Sequence, residues 1–513
     1  MSQPFYAAAS SGHPEVTKAA ITMLEAGGNA FDAIVAAGLA ASVAEPALTS
    51  LAGGGFLLAK SQQGARLFDF FADTPTLSTN LPDKLDFEAV TVHFPGSTQV
   101  FHAGLGSVAV PGTLKGLLHA HTRLGRMPLH DVAEPAIKLA RDGLAINSAQ
   151  EHVMAIITPI MTLSEPAKRL YAPQGHSLRT GDWFSNPQLA AFLDALPGSA
   201  DDFYLGDLAV RIAEQMTAGG GLLTKQDLAQ YKVIEREPLR YSYRNVKLLT
   251  NPAPSFGGGL IAVALELLQH HHQQPSKIIN KDPSKDISED LKHALSLAQC
   301  LYDTDQLRQQ GILQPSDLWA AQAKPQPKLR STGGTTHMSV CDAAGNAASM
   351  TLSAGEGAGY LAADTGIMYN NMLGEDDLFP AGFHQFVSNS RVASMMSPSM
   401  ICDAQGQVQV VLGTGGSKRI RTTLFQVISH LVDAGMSLEA AVHAPRMHWD
   451  GTQLQLEPGF SDELVGTLET TFPINLWAQP NLYFGGVHAV SSHGEAVGDA
   501  RRGGAAEVLP KPS

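Results

Sequence analysis

Residues Ala33 to Ala44 form twelve consecutive uncharged positions, half of them alanine. That is short of the 18 or more apolar residues a membrane span needs. Small side chains on nearly every face imply a helix packed closely against other elements. The flanks fit this reading. Pro14 takes an N1-like position, and Val16, Ala19, Ala20, Met23 and Leu24 recur on one helical face until Gly27-Gly28 stops the pattern. A second helix opens at Asn29, carries Asp32 in its first turn and runs to Glu45-Pro46. After Ala52-Gly53-Gly54-Gly55 the sequence turns apolar in short runs, Phe56–Ala59 and Leu67–Phe71, which read as buried strands. With 513 residues, 44% hydrophobic and 16% charged, the chain can build a large core and is not a disordered one. At roughly 150 residues per domain, three domains is the upper bound. Its 49 glycines and 30 prolines follow no G-X-Y period, which excludes a collagen-like chain.

The middle of the chain reads as helical, most clearly over 132–141 and 289–302, while 270–286 and 321–334 are polar, proline-rich and aperiodic, as exposed loops are. From Thr335 the period changes. Residues 335–353 read as a β-hairpin around Gly345-Asn346, and 400–411 as a second one, before a helix with Ile420, Leu424, Val427, Ile428 and Leu431 on one face. Lys and Arg number 35 against 48 Asp and Glu, a net charge of −13, which argues against nucleic acid as a partner. Residues 335–390 contain no Lys or Arg but carry Asp342, Glu356, Asp364, Glu375, Asp376 and Asp377. That is either a solvated acidic face or a site for a cationic group such as a substrate ammonium. Cys300, Cys341 and Cys402 have no CxxC spacing and make no disulfide framework. The first residues lack a basic n-region and an apolar h-region, so a cytoplasmic address is expected, with no membrane partner.

Two short segments carry chemistry. In Gly333-Gly334-Thr335-Thr336 a glycine loop runs into a strand that begins with threonine. A Thr hydroxyl becomes a useful nucleophile when a chain-terminal α-amine sits beside it as base, which here requires a cut between Gly334 and Thr335. In Gly413-Thr-Gly-Gly-Ser-Lys-Arg, Gly415-Gly416 lies between a strand and a helix, where unhindered N–H groups suit an oxyanion or phosphate; an ordinary tight turn has the same pattern. His270-His271-His272 has no companion cluster at metal-ligand spacing, so no metal site is expected. No GxSxG elbow occurs, and the cysteines lack a nucleophile signature.

Taken in order, SGHPEVTKAAITMLEAGGNAFDAIVAAGLAASVAEPALTSLAGGGF (11–56), GLGSVAVPGTLKGL (104–117), NPAPSFGGG (251–259), TTHMSVCDAAGNAASMT (335–351), GIMYNN (366–371), GTGGSKRIRTT (413–423) and APRMHWD (444–450) resemble the γ-glutamyltranspeptidase family of N-terminal-nucleophile hydrolases. The resemblance implies an α+β fold, the four-layer αββα sandwich. It also implies a precursor that cuts itself into a large segment, 1–334, and a small one, 335–513, which stay associated. It makes Thr335 the nucleophile and Ser353 the hydroxyl that supports it, where the family has Thr. Gly415 and Gly416 form the oxyanion hole, Asp377 holds the substrate α-ammonium, and Ser394 binds the α-carboxylate. Gly355, at the family's Asn position, and Glu356 after it border the substrate. No cofactor or metal is implied.

The chain also departs from the family. The second carboxylate-binding serine is Met395, and the arginine expected shortly after 67–71 is absent from FFADTPTLSTNLPDK. A bidentate guanidinium–carboxylate pair is strong and directional, and one serine does not replace it. Lys418, Arg419 and Arg391 are left as substitutes. The stretch from Asp377 to Ser394 is short for a lid, so an open site is expected. The leading function is hydrolysis or transfer of γ-glutamyl amides such as glutathione, with water, an amino acid or a peptide as acceptor. The alternatives are an amidase for glutaryl or poly-γ-glutamyl donors, and an uncut binding protein.

Overall fold

The computed structural model describes residues 5–77, 84–94, 97–273, 288–319, 334–375, 378–379 and 382–510. Its centre is a seven-stranded antiparallel sheet in the order Ala505–Pro510, Phe5–Ser11, Thr336–Asp342, Ala347–Ser353, Gly54–Ser61, Gly64–Phe70, Ile234–Arg236. A second antiparallel sheet runs Ala496–Gly498, Gly486–Ser491, Val408–Gly415, Ser399–Cys402, Val246–Thr250, Leu239–Tyr243. The two lie face to face. Side chains at their centre bond from one sheet to the other: Ser349 Oγ donates to the Leu412 carbonyl at 3.1 Å and Ser339 Oγ to the His488 carbonyl at 3.0 Å.

Alternation along the central hairpin explains the layering. Met338, Val340, Met350 and Leu352 point outward into the core beneath the helices Pro14–Glu25 and Ala30–Ala44. His337, Ser339, Ser349 and Thr351 point inward, fully buried between the sheets. The His337 ring fits only because residue 413 is glycine; a Cβ there would lie 2.2 Å from it. Its nitrogens meet Thr351 Oγ1 at 2.8 Å and Ser339 Oγ at 2.9 Å, and burial, with His488 nearby, holds the imidazole well below its ordinary pKa and neutral. The helices Gly257–Gln273, Glu289–Gln309 and Arg419–Val432 cover the far face of the second sheet, completing an α+β sandwich of four layers, αββα.

The helix starts and strands read from sequence are found. Asn29 and Asp32 form a reciprocal capping box, and all fifteen residues of Ala30–Ala44 are buried. The loop expected over 270–286 begins later, because His270–His272 lie in the last turn of the helix that ends at Gln273; 274–286 falls outside the described residues, as does 321–333 of the other loop. Among the described residues no helix is long and apolar enough to cross a membrane, and no three His, Cys, Asp or Glu side chains group as a metal site would need.

A buried ionic cluster holds the C-terminal turn in place. Asp499 pairs with Arg446 at 2.5 Å and with Arg501 at 3.3 Å, and Arg501 also reaches Glu457 at 2.7 Å. Burial alone would raise the Asp499 carboxyl, but the two arginines hold it down to about 2. Its stabilising contribution is therefore present above the ordinary carboxylate range and lost as pH falls toward 2. Asp499→Asn leaves the buried Arg446 guanidinium without its carboxylate partner, while Arg501 keeps Glu457, and is expected to cost about 3–5 kcal/mol in chemical denaturation. A loss under about 1 kcal/mol would show that the cluster relaxes or admits water.

Candidate active site

Thr335 sits immediately before the strand Thr336–Asp342, at the end of the sandwich where that strand starts between Phe5–Ser11 and Ala347–Ser353. Hairpin pairing brings Ser353, eighteen residues on, back beside this point. Ser353 Oγ donates to the Gly334 carbonyl at 2.6 Å and accepts the Gly355 N–H at 3.0 Å. The carbonyl ahead of Thr335 is thus already polarised by a hydroxyl. On the other side, Arg502 Nη1 donates to the Thr335 carbonyl at 3.2 Å. Gly415 closes in from the second sheet so tightly that a Cβ on it would stand 2.2 Å from the Thr335 carbonyl oxygen. Ser353 and Gly415, far apart in sequence, thus meet the chain on either side of Thr335, one at the Gly334 carbonyl and the other at the Thr335 carbonyl.

The glycine pair departs from the sequence-based expectation in one respect. Gly415 is the last residue of a strand, and Gly416, at φ +121°, turns the chain; the helix begins only at Arg419. The pair therefore belongs to a strand end and a turn and not to the first turn of a helix, which starts only at Arg419.

A small cavity of about 50 Å³ opens beside Thr335, with Ser353, Ser394, Met395 and Glu375 in its wall and Phe71 and Phe256 closing it. Ser394 thus borders this cavity, and its Oγ accepts the Met396 N–H at 3.1 Å. Gly355 has φ +65°, and a Cβ on it would meet Asn371 Oδ1 at 2.1 Å, so the chain turns here in a way that excludes a side chain. Glu356 is buried, with its N–H on Asn371 Oδ1 at 2.9 Å, and it borders a different and larger cavity on the Gly334 side. Asp377 lies outside the described residues.

Of the three cationic substitutes, none lines the small cavity among the described residues. Arg391 is buried and committed to Asp69 at 3.2 Å and Asp73 at 2.9 Å, over the Tyr231 ring. Arg419 lies over Tyr483, in the larger cavity.

Two residues escaped the sequence reading. Arg502 was hidden in an unremarkable C-terminal stretch, and the ionic cluster at Asp499 is what presents it. Glu45, the C-cap of the buried helix Ala30–Ala44, accepts from Thr336 Oγ1 with both oxygens at 3.0 Å. A carboxylate in an otherwise apolar run, just before Pro46, was its only signal.

An antiparallel αββα sandwich with a threonine opening a central strand, a hydroxyl on the preceding carbonyl and a glycine pair alongside defines an N-terminal-nucleophile hydrolase. A sequence model of the family Gamma-glutamyltranspeptidase matches residues 16–509. The glutathione hydrolase proenzyme of Escherichia coli (strain K12) is 32% identical over 487 residues, covering 88% of this chain and 83% of that protein. The chain belongs to the γ-glutamyltranspeptidase family. The Acylase ACY 1 proenzyme of Pseudomonas sp. (strain V22) is 29% identical, covering 89% of this chain and 85% of the relative. In fold, the chain is similar to the cephalosporin acylase from Bacillus halodurans, with a TM-score of 0.80 and 21% identity over 98% of this chain and 96% of that one.

Burial pushes the Glu45 carboxyl up to about 7, a rise that the Thr336 hydroxyl and the Arg502 charge only partly offset. The folded protein thus holds this proton more tightly than the unfolded chain. The resulting stability is complete below the ordinary carboxylate range and is lost as pH climbs through 7. Between about pH 5 and about pH 8, the melting temperature of the wild type is expected to fall more than that of Glu45→Gln. Equal slopes would mean that Glu45 ionises as freely when folded as when unfolded.

Proposed function

We propose that the chain cuts itself between Gly334 and Thr335 and that Thr335, as the new N-terminal residue, carries the acyl group in its reaction. As a member of the family it is a self-processing hydrolase and transferase of γ-glutamyl amides, glutathione-like compounds among them, with water or an amino acid as acceptor. The single observation that carries the site assignment is the Ser353 hydroxyl on the Gly334 carbonyl at 2.6 Å, next to a threonine facing a cavity.

In the uncut chain, Thr335 Oγ attacks the Gly334 carbonyl carbon while Ser353 stabilises the oxygen. The acyl group passes from nitrogen to Oγ, and water opens the ester. The freed Thr335 α-amine then takes the proton from Oγ as that oxygen attacks a substrate amide, with the Gly415 and Gly416 N–H groups turned to the oxyanion. Glu375, together with Asp377, offers the negative charge that a donor α-ammonium calls for, and Ser394 a hydroxyl for its α-carboxylate.

Electrophoresis with intact mass measurement tests the cut: fragments of 334 and 179 residues for the wild type (513 − 334 = 179) and one chain for Thr335→Ala. A wild type that stays whole would overturn the assignment. Ser353→Ala is expected to slow the cut by about 10²–10³-fold, the usual loss for one oxyanion donor, while Ser353→Thr, which keeps the hydroxyl, processes nearly normally.

One observation favours a second reading, an amidase for other acyl donors. The described wall of the small cavity holds no cationic group, and Arg391 is engaged by Asp69 and Asp73. Turnover of glutaryl p-nitroanilide well above that of γ-glutamyl p-nitroanilide would establish it, and the reverse order would exclude it.

A further inference from the structure

A second cavity, about 470 Å³ against about 50 Å³, lies apart from the one beside the Thr335 side chain. It opens on the other side of the same peptide bond, and Gly334 is part of its wall. One flank is the helix Ser148–Met161, which presents Val153 and Ile156, three apart and so on one face. Another part of the wall is aromatic. Trp477 stacks on Tyr483 at 4.9 Å between ring centres and is fixed by its Nε1–H on Gln455 Oε1 at 2.8 Å. Beside it Leu476 is 56% exposed, an apolar side chain left open to solvent at the mouth.

Charges of both signs border this apolar slot. Arg419 lies over the Tyr483 ring at 4.8 Å and donates from Nε to the Tyr483 carbonyl at 3.0 Å. Glu356, buried and next in sequence to Gly355, stands at the end nearest the scissile bond. Asp450 is held by its own loop, accepting from Thr452, Gln453 and Gln455.

We propose that this cleft is the acceptor site of the self-cleaved enzyme, and that it takes an α-amino acid or short peptide whose first residue has a large aromatic side chain. The inference rests on the acyl-enzyme reading above. The ring enters between Ile156 and Trp477, the carboxylate faces Arg419, and the amine lies toward Glu356 and the acyl carbonyl. In the step itself the acceptor nitrogen bonds to the acyl carbon, the ester bond to Thr335 Oγ breaks, and the proton shed by the amine returns to Oγ. Glycine as acceptor leaves the slot unfilled. An aromatic side chain fills it, and apolar contacts of this size discriminate by about tenfold or more.

The test uses the self-cleaved enzyme with whichever of γ-glutamyl or glutaryl p-nitroanilide it turns over, following acyl-amino acid product by mass spectrometry. The expected result is a kcat/KM for phenylalanine or tryptophan about tenfold or more above that for glycine. Phenethylamine, which lacks the carboxylate, should fall below phenylalanine. Trp477→Ala should bring the aromatic-to-glycine ratio close to one, and Trp477→Phe should keep most of it. Leu476→Asp, at an exposed position, supplies a second variant that folds and should also lower the ratio. Equal use of glycine and phenylalanine by the wild type, or a ratio untouched by Trp477→Ala and Leu476→Asp, would overturn the proposal. Absence of p-nitroaniline release from either donor without acceptor would instead sink the acyl-enzyme reading beneath it.

Discussion

The arrangement depends on the two-sided pairing of the strand Thr336–Asp342. It bonds to Phe5–Ser11 on one edge and Ala347–Ser353 on the other, and its inner face meets the second sheet. A strand held in this way stays in place when the peptide bond at its start is broken. In a self-processing enzyme the new terminus must remain within hydrogen-bond reach of the groups that use it, and a chain end on a surface loop would drift away. The central position of the strand is thus a condition of the chemistry as well as of the core.

In the proposed reaction the same hydroxyl serves two stages. While the chain is whole, Ser353 Oγ is occupied by the Gly334 carbonyl, where it polarises the bond to be cut. The proposed cut would remove that carbonyl as a fixed partner and free the hydroxyl for the new terminus. Arg502 sits on the Thr335 carbonyl, anchored through its neighbours Asp499 and Arg501. Burial lowers its guanidinium only to about 10, so it remains charged at neutral pH.

The peptide bond at Gly334 also divides two cavities of unlike character, a narrow one of about 50 Å³ with hydroxyls and one carboxylate, and a broad one of about 470 Å³ with an aromatic wall. An acyl-transfer enzyme needs two such compartments, one for the group it retains and one for the group that leaves or arrives. Their difference in size suits a selective donor site and a roomier acceptor site.

The local elements were legible in the chain because each has a short-range cause: the Asn29–Asp32 capping box, the uncharged run to Ala44, the alternation on either side of Asn346, and the glycines at 415 and 416. The ordered motifs also carried the family. Contacts between residues hundreds of positions apart were not legible. Glu45 and Thr336 are 291 residues apart and Arg502 and Thr335 are 167 apart, and neither pair has a spacing that a sequence pattern could register. The structure alone decided that Arg391 is consumed by Asp69 and Asp73, that the Gly415-Gly416 pair ends a strand before any helix begins, and that Trp477 and Ile156 border one cleft. The reason is physical. Propensity, capping and turn geometry act over a few residues, whereas pairing between sheets and the burial that shifts a carboxyl or orients a guanidinium depend on which surfaces meet when the layers close.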